Sequence, residues 1–215
     1  MDIEQIVKGH IMKTLLVNGS PRQNGNTSVA LAEVAKTLEA EGIETETFWI
    51  GVKPVRGCIV CGKCREMGRC AFDDDAANEL AEKLAGADAF VIGSPVYYGQ
   101  PNGALLALVQ RALFSRSSSV AGKPGATIAI CRRGGATAAF QCLNMPFQML
   151  NCVLVGSQYW NIAYGREPGE AAQDAEGMQT MRTLARNLAW LLKSAAAGAV
   201  PRPAGEPWQP MHFIR

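Results

Sequence analysis

Apolar residues in this chain fall into short continuous runs separated by longer stretches of helical period. Thr14 to Val17 reads as a buried strand ending at Asn18-Gly19. Leu31, Val34, Ala35 and Leu38 recur at i, i+3, i+4 and i+7, which predicts a helix that stops at Gly42. Residues 44 to 50 form a second strand. Asp73 is placed to cap a helix whose inner face is Ala77, Leu80, Ala81 and Leu84. Ala89 to Gly93 gives a third strand, and Leu105, Val109, Ala112 and Leu113 mark the helix after it. Ala126 to Cys131 and Cys152 to Val155 complete five strands. The last helix carries Met181, Leu184, Ala185, Leu188, Leu191 and Leu192. Strands alternating with helices predict an α/β fold with a parallel sheet covered on both faces.

The pattern sets the domain organisation: an N-terminal extension over 1–12, one domain over 13–194 and a tail over 195–215. Pro201, Pro203, Pro207 and Pro210 make the tail non-helical, suited to wrapping a surface or a partner subunit. No internal repeat and no second domain are visible. A chain of 215 residues, 48% of them hydrophobic, is long enough for a substantial core. Its formal net charge of +2 gives no argument for nucleic acid or an anionic membrane. No apolar run reaches the roughly 20 residues that span a bilayer. Seven cysteines without a secretion signal predict a reducing, cytoplasmic setting.

Four of those cysteines, Cys58, Cys61, Cys64 and Cys70, lie in GCIVCGKCREMGRC within a loop over 57–71, spaced C-x2-C-x2-C-x5-C. Two-residue gaps let successive thiolates wrap one small body, and Gly57, Gly62 and Gly68 permit sharp turns. A cubane [4Fe-4S] cluster needs four such thiolates, one per iron corner. Zinc, a disulfide pair and four reduced thiols are the competing readings. Cys131, Cys142 and Cys152 sit in apolar surroundings and read as core packing. Asp73 to Asp75 read as complements to a helix N-terminus. His10 and His212 lie in terminal segments, so a histidine-based site has little support.

In a sheet of this kind ligands bind beyond the carboxyl ends of the strands. Three loops there carry suitable chemistry. GSPRQNGNTS, 19 to 28, runs from a strand into a helix. Its backbone N–H groups and helix dipole suit a phosphate, with Ser20, Asn26, Thr27 and Ser28 as donors and Arg22 as a charge partner. It lacks the lysine of a P-loop, and the chain has no G-x-G-x-x-G. Ser94 precedes Pro95, Val96, Tyr97, Tyr98 and Gly99, a stiff loop whose tyrosines and N–H groups suit a flat polar ring. Arg132, Arg133, Gly134 and Gly135 put cations and glycine N–H groups at the next strand end. A capped helix and solvated loops are the bland alternatives, each stronger when its loop is taken alone. Tyr159, Trp160 and Asn161 follow the fifth strand and suit a subunit contact, a ring's open face or rim packing.

At these residues the chain resembles a known family. GSPRQNGNTS, the four-cysteine cluster, GSPVYYGQPNG and the late NCVLVGSQYWN and EGMQTMRTLARNLAWLLK are similar to the flavodoxin-fold NAD(P)H-dependent FMN reductases, and most to their iron–sulfur flavoprotein branch. The resemblance covers roughly residues 13 to 194. It implies a flavodoxin-like, doubly wound, five-stranded parallel sheet. It implies FMN, a [4Fe-4S] cluster, NAD(P)H as co-substrate, and electron transfer to a small-molecule or protein acceptor. It also implies a homodimer or homotetramer with flavin sites near subunit contacts. An electron carrier or redox sensor that docks on another protein is the alternative outside enzymology, and an FMN reductase whose cysteines are structural or bind zinc is the other. On this reading the flavin does the chemistry, and no side chain acts as nucleophile or general base.

Overall fold

A computed structural model describes residues 11–198, 200–207, 209–211 and 213 of the chain. Most of the N-terminal extension, together with His10 and His212, lies outside the described residues. The order of elements is β1 (Lys13–Asn18), α1 (Asn26–Ala40), β2 (Glu44–Trp49), α2 (Cys64–Met67), α3 (Ala77–Gly86), β3 (Ala89–Tyr97) and β4 (Gln100–Pro101). Then come α4 (Gly103–Val120), β5 (Pro124–Cys131), α5 (Ala136–Met149), β6 (Val153–Leu154), β7 (Ile162–Tyr164), a 3-10 turn (Glu170–Gln173) and α6 (Ala175–Ala196).

The sheet order is β2-β1-β3-β5-β6, with β7 also parallel on β5. Side chains alternate along the central strands as the pleat requires. Leu16, Val91, Ile128 and Ile130 face one core with α1 and α6. Leu15, Val17, Phe90 and Ile92 face the other with α3, α4 and α5. Both faces are therefore covered, and the strand ends are left for chemistry. Among the described residues no helix is long and apolar enough to cross a membrane.

Four details differ from the sequence pattern. The fifth strand is split. β6 pairs with Pro124–Gly125 and β7 with Ala129–Cys131, and residues 155–161 leave the sheet between them. β3 continues past Gly93 to Tyr97 and folds back as an antiparallel hairpin with β4. Helix α5 was not visible in the periodicity. Pro146 lies inside it, and its inner face, Ala136, Ala139, Leu143 and Phe147, is spread over about three turns. Asp73 does not cap α3. Ala76 precedes that helix without a side-chain cap, and Asp75 accepts from the Ala77 N–H at 3.1 Å.

The tail begins two residues after its expected start, because α6 runs to Ala196. Arg202 in the tail donates to the carbonyls of Gly122 and Asn151, the latter at 2.7 Å. That ties the tail to the turns flanking β5 and α5.

Gly125 on β5 has no room for a side chain. A Cβ there would lie 2.3 Å from the Phe90 ring, which stacks on Phe147 with centroids 4.3 Å apart. Gly125→Ala should therefore force the rings apart and destabilise the protein by about 1–3 kcal/mol. Chemical denaturation followed by circular dichroism checks this, and an unchanged midpoint would contradict it.

Candidate functional site

The first loop begins where β1 ends and is drawn tightly onto β3 and α4. The Gly19 N–H donates to the Gly93 carbonyl at 2.8 Å. A Cβ on Gly19 would stand 2.4 Å from Leu105 and 2.6 Å from that carbonyl, so only glycine fits. Ser20 is buried, and its Oγ accepts from the Arg22 N–H at 3.1 Å. Gly25 is the N-cap of helix α1, and no side chain caps the first turn by a hydrogen bond. Its leading N–H groups are thus left uncapped by any side chain, which is the arrangement that receives an anion. The bland reading of an Asn- or Thr-capped helix does not hold.

The five residues named for this loop divide. Ser20 and Thr27 are buried, and Arg22 is exposed. Ser28 Oγ donates back to the Gly25 carbonyl at 2.7 Å. Asn26 is committed elsewhere. Its Nδ2 donates to the Glu167 carbonyl at 2.9 Å, and its Oδ1 accepts from the Ala171 N–H at 3.1 Å. It clamps the segment after β7 against the loop, so Asn26 and Ser28 keep only backbone N–H groups for a ligand.

The second and third loops meet each other. Tyr98 (φ 51°) and Gly99 (φ 78°) form a two-residue turn between β3 and β4, with both residues left-handed. The turn carries Tyr98 fully into solvent, a strained position for a bulky residue. Gly135, also left-handed, packs against it: a Cβ there would lie 2.8 Å from the Gly99 Cα. Arg132, Arg133 and Gly134 are exposed beside it. Pro95 and Val96, at the base of the hairpin, are half-buried.

Two residues that link these loops were missed by sequence reasoning. Asn102 donates through Nδ2 to the Gly19 carbonyl at 2.8 Å, and its N–H donates to Ser94 Oγ at 2.9 Å. Its Oδ1 also caps α4, accepting from the Ala104 N–H at 3.1 Å. The indole N–H of Trp49, at the end of β2, donates to the Ser20 carbonyl at 2.7 Å. Asn before a helix was a legible capping signal for Asn102; nothing marked Trp49.

The chain leaves β2 after Trp49 and enters the cysteine loop at Gly57. Cys58, Cys61, Cys64 and Cys70 all line one pocket, floored by Arg111, Phe114 and Ser115 of α4 and walled by Ile59 and Phe72. All four are free thiols, with Cys58 and Cys61 exposed and Cys64 and Cys70 half-buried. Val60, Gly62 and Gly68 are left-handed, which lets so short a segment circle the pocket. Among the described residues no three of Cys, His, Asp and Glu draw together closely enough to hold a single metal ion.

The loop is anchored by charge. Arg111 is 2% exposed and pairs with Asp75. Its Nε and Nη2 each lie 3.4 Å from Cys70 Sγ. Burial works against its charge, but the Cys70 sulfur and then the Asp75 carboxylate outweigh it and push its pKa up. Asp74 pairs with Arg56 at 2.6 Å and Asp73 with Arg69 at 2.5 Å. The three acids therefore brace the cysteine loop as well as the start of α3. Asn78 adds a further hold, accepting from the Cys70 N–H at 2.9 Å and donating to the carbonyls of Cys70 and Phe72.

The remaining thiols are of another kind. Burial pushes the thiols of Cys131 and Cys152 up, against the pull of nearby backbone donors. They suit packing rather than redox work. Tyr159 and Trp160 are exposed, with ring centroids 4.9 Å apart, while Asn161 is buried.

Comparison with known proteins gives the family and the fold. The family model described as NADPH-dependent FMN reductase matches residues 12–167. An iron-sulfur flavoprotein of Methanocaldococcus jannaschii is 32% identical over 190 residues, covering 85% of this chain and 98% of the relative. An iron-sulfur flavoprotein of Methanosarcina thermophila is 30% identical over 188 residues, covering 85% and 96%. A solved structure of a flavodoxin from the domain Archaea superposes with a TM-score of 0.59 at 16% identity, covering 85% of this chain and 99% of that one. That last likeness establishes the flavodoxin-like fold.

Asn102→Ala removes the link between the first two loops and the α4 cap together. It should destabilise the protein by about 1–3 kcal/mol. It should also speed amide hydrogen exchange at Gly19 and Ser20 more than at strand β5. Uniform exchange rates across the sheet would show that Asn102 does not hold the loop.

Proposed function

We propose that this chain, which belongs to the NADPH-dependent FMN reductase family and is an NAD(P)H-dependent flavin oxidoreductase, moves electrons between FMN and a [4Fe-4S] cluster on Cys58, Cys61, Cys64 and Cys70. The observation that carries the reading is the convergence of four free cysteines on one pocket, in the segment that follows the strand whose Trp49 supports the phosphate loop.

The residues fit both groups. For the phosphate, the uncapped start of α1 offers backbone N–H groups, including those of Asn26 and Ser28. The Ser20 and Thr27 hydroxyls and the Arg22 guanidinium complete the set. Residues Pro95 to Gly99 hold the ring, with Tyr98 free to stack. Arg132 and Arg133, with the N–H groups of Gly134 and Gly135, place positive charge where a reduced flavin is negative. For the cysteines, zinc and a cubane make different demands. A structural zinc draws four ligands to about 2.3 Å of one point. A cubane instead gives each thiolate its own iron corner. Cys58, Cys61, Cys64 and Cys70 all line one pocket, as four thiolates serving one cluster require.

When bound, FMN supplies hydride and single-electron chemistry, and the cluster supplies single-electron transfer. The chain orients and tunes these groups. The exposed rim at Tyr98, Arg132 and Arg133 is the approach for the nicotinamide donor. The physiological setting in this reading is the cytoplasm, and the acceptor is a small molecule or a redox protein. The assembly is a homodimer or homotetramer. Exposed Tyr159 and Trp160 offer aromatic contact surface.

Charge-assisted hydrogen bonds are worth roughly 1.5–3 kcal/mol each. Arg22→Ala should therefore weaken FMN about tenfold to hundredfold more than riboflavin, which lacks the phosphate. Equal losses by fluorescence titration would remove Arg22 from the phosphate site. Protein purified without oxygen should contain close to four irons and four sulfides per chain. Alanine at any one of the four cysteines should lower that content while FMN is retained. Stoichiometric zinc without iron or sulfide would refute the cluster.

A further inference from the structure

Arg111 carries chemistry that neither an ordinary core position nor a flavin site explains. It lies on the inner side of α4, whose neighbouring buried residues, Leu108, Val109 and Ala112, are apolar. A buried guanidinium is costly unless its donors are met. Here all five N–H positions have acceptors. Nε and Nη2 point at Cys70 Sγ, each at 3.4 Å. Nη2 also donates to the Phe72 carbonyl at 3.2 Å, and Nη1 to the Arg56 carbonyl at 3.3 Å and to Asp75 Oδ2. Arg56 precedes the first cysteine and Phe72 follows the last. One side chain thus holds both ends of the cysteine loop and one of its sulfurs.

The four cysteines are not equivalent in this respect. Cys58 Sγ accepts from the backbone N–H of Val60 at 3.4 Å, a local and neutral donor. Cys70 receives a fork of two N–H groups from a cation that cannot be deprotonated. Donors to a cluster's ligating sulfurs, and positive charge beside them, favour its more negative, reduced state.

Building on the cluster reading above, we propose that Arg111 is a positioning residue of the cysteine site: its guanidinium fixes Cys70 and both ends of the loop and raises the reduction potential of the cluster. Asp75 serves the same end. Its carboxylate pairs with Nη1 and holds the guanidinium plane so that the Nε–Nη2 edge faces the sulfur. The side chain of Asp75 is as buried as that of Arg111, at 3% and 1% exposure. The reduction itself is one electron added to the cluster from an external donor such as dithionite, with no proton or group transferred.

The test uses the anaerobic holoprotein with FMN bound. Arg111→Lys keeps the charge but cannot place two donors on one sulfur while reaching Arg56, Phe72 and Asp75. Arg111→Gln loses the charge. Iron, sulfide and FMN are first assayed in each protein. In a dithionite titration followed by electron paramagnetic resonance, the cluster midpoint should move to more negative potential in Arg111→Lys and further in Arg111→Gln. The FMN midpoint should stay in place. A second measurement needs no variant. Wild-type protein grown with 15N-guanidinium arginine should show a 15N coupling to the reduced cluster in pulsed resonance spectra. An unmoved cluster midpoint in variants that retain iron, or no 15N coupling in the wild type, would overturn the role of Arg111. Absence of iron and sulfide from the wild type would instead overturn the cluster reading, and this inference with it.

Discussion

A guanidinium shut away from water must have its donors met, and the chain around Arg111 is arranged to meet them. Two carbonyls, one carboxylate and one sulfur converge on it from positions 56 to 75. The cysteine loop has almost no regular structure of its own, only the four residues of α2. Its shape comes from side chains beneath and beside it: Arg111 from α4, Asn78 from α3, and Arg116, whose Nε donates to the Gly68 carbonyl at 3.1 Å. The Arg56 guanidinium stacks over Phe72 at 4.4 Å and closes the two ends together. Removal of Arg111 would leave Asp75 buried without its counter-charge, an arrangement that commonly costs 3–5 kcal/mol.

The sheet provides the second half of the design. Parallel strands present their carboxyl ends on one edge, and the loops there are drawn together by a few polar contacts. Asn102 ties the first loop to the second, and Gly135 lets the third approach Gly99. Trp49 braces the phosphate loop from β2 just before the chain enters the cysteine segment. A single strand end thus serves both candidate cofactor sites.

Much of this was legible in the sequence because apolar period and topology are local signals. β1, α1, α3 and α6 stand where their Leu, Val and Ala positions put them. The split of the fifth strand was hidden because three-residue β7 has no run long enough to register. Helix α5 was hidden by Pro146 and by an apolar composition without a clean polar face. The cysteine and phosphate motifs were visible as residue types, but their supports were not. Arg111 reads in sequence as a charge on a helix, and Asp73 to Asp75 as acids near a helix start. Only the folded chain brings position 75 to position 111. Asn26 shows the converse, since a donor well placed in sequence is consumed by residues 167 and 171, more than 140 positions along the chain.

One chain that carries two redox groups takes up a countable number of electrons. An anaerobic dithionite titration of the intact protein, followed by flavin absorbance and cluster spectra together, gives the reducing equivalents taken up per chain. FMN alone accepts about two electrons, and a single cluster adds about one more. The expected end point is near three, with the flavin and cluster signals bleaching in linked steps. An end point of two, reached with flavin bleaching alone in protein that holds its full complement of FMN, would contradict it.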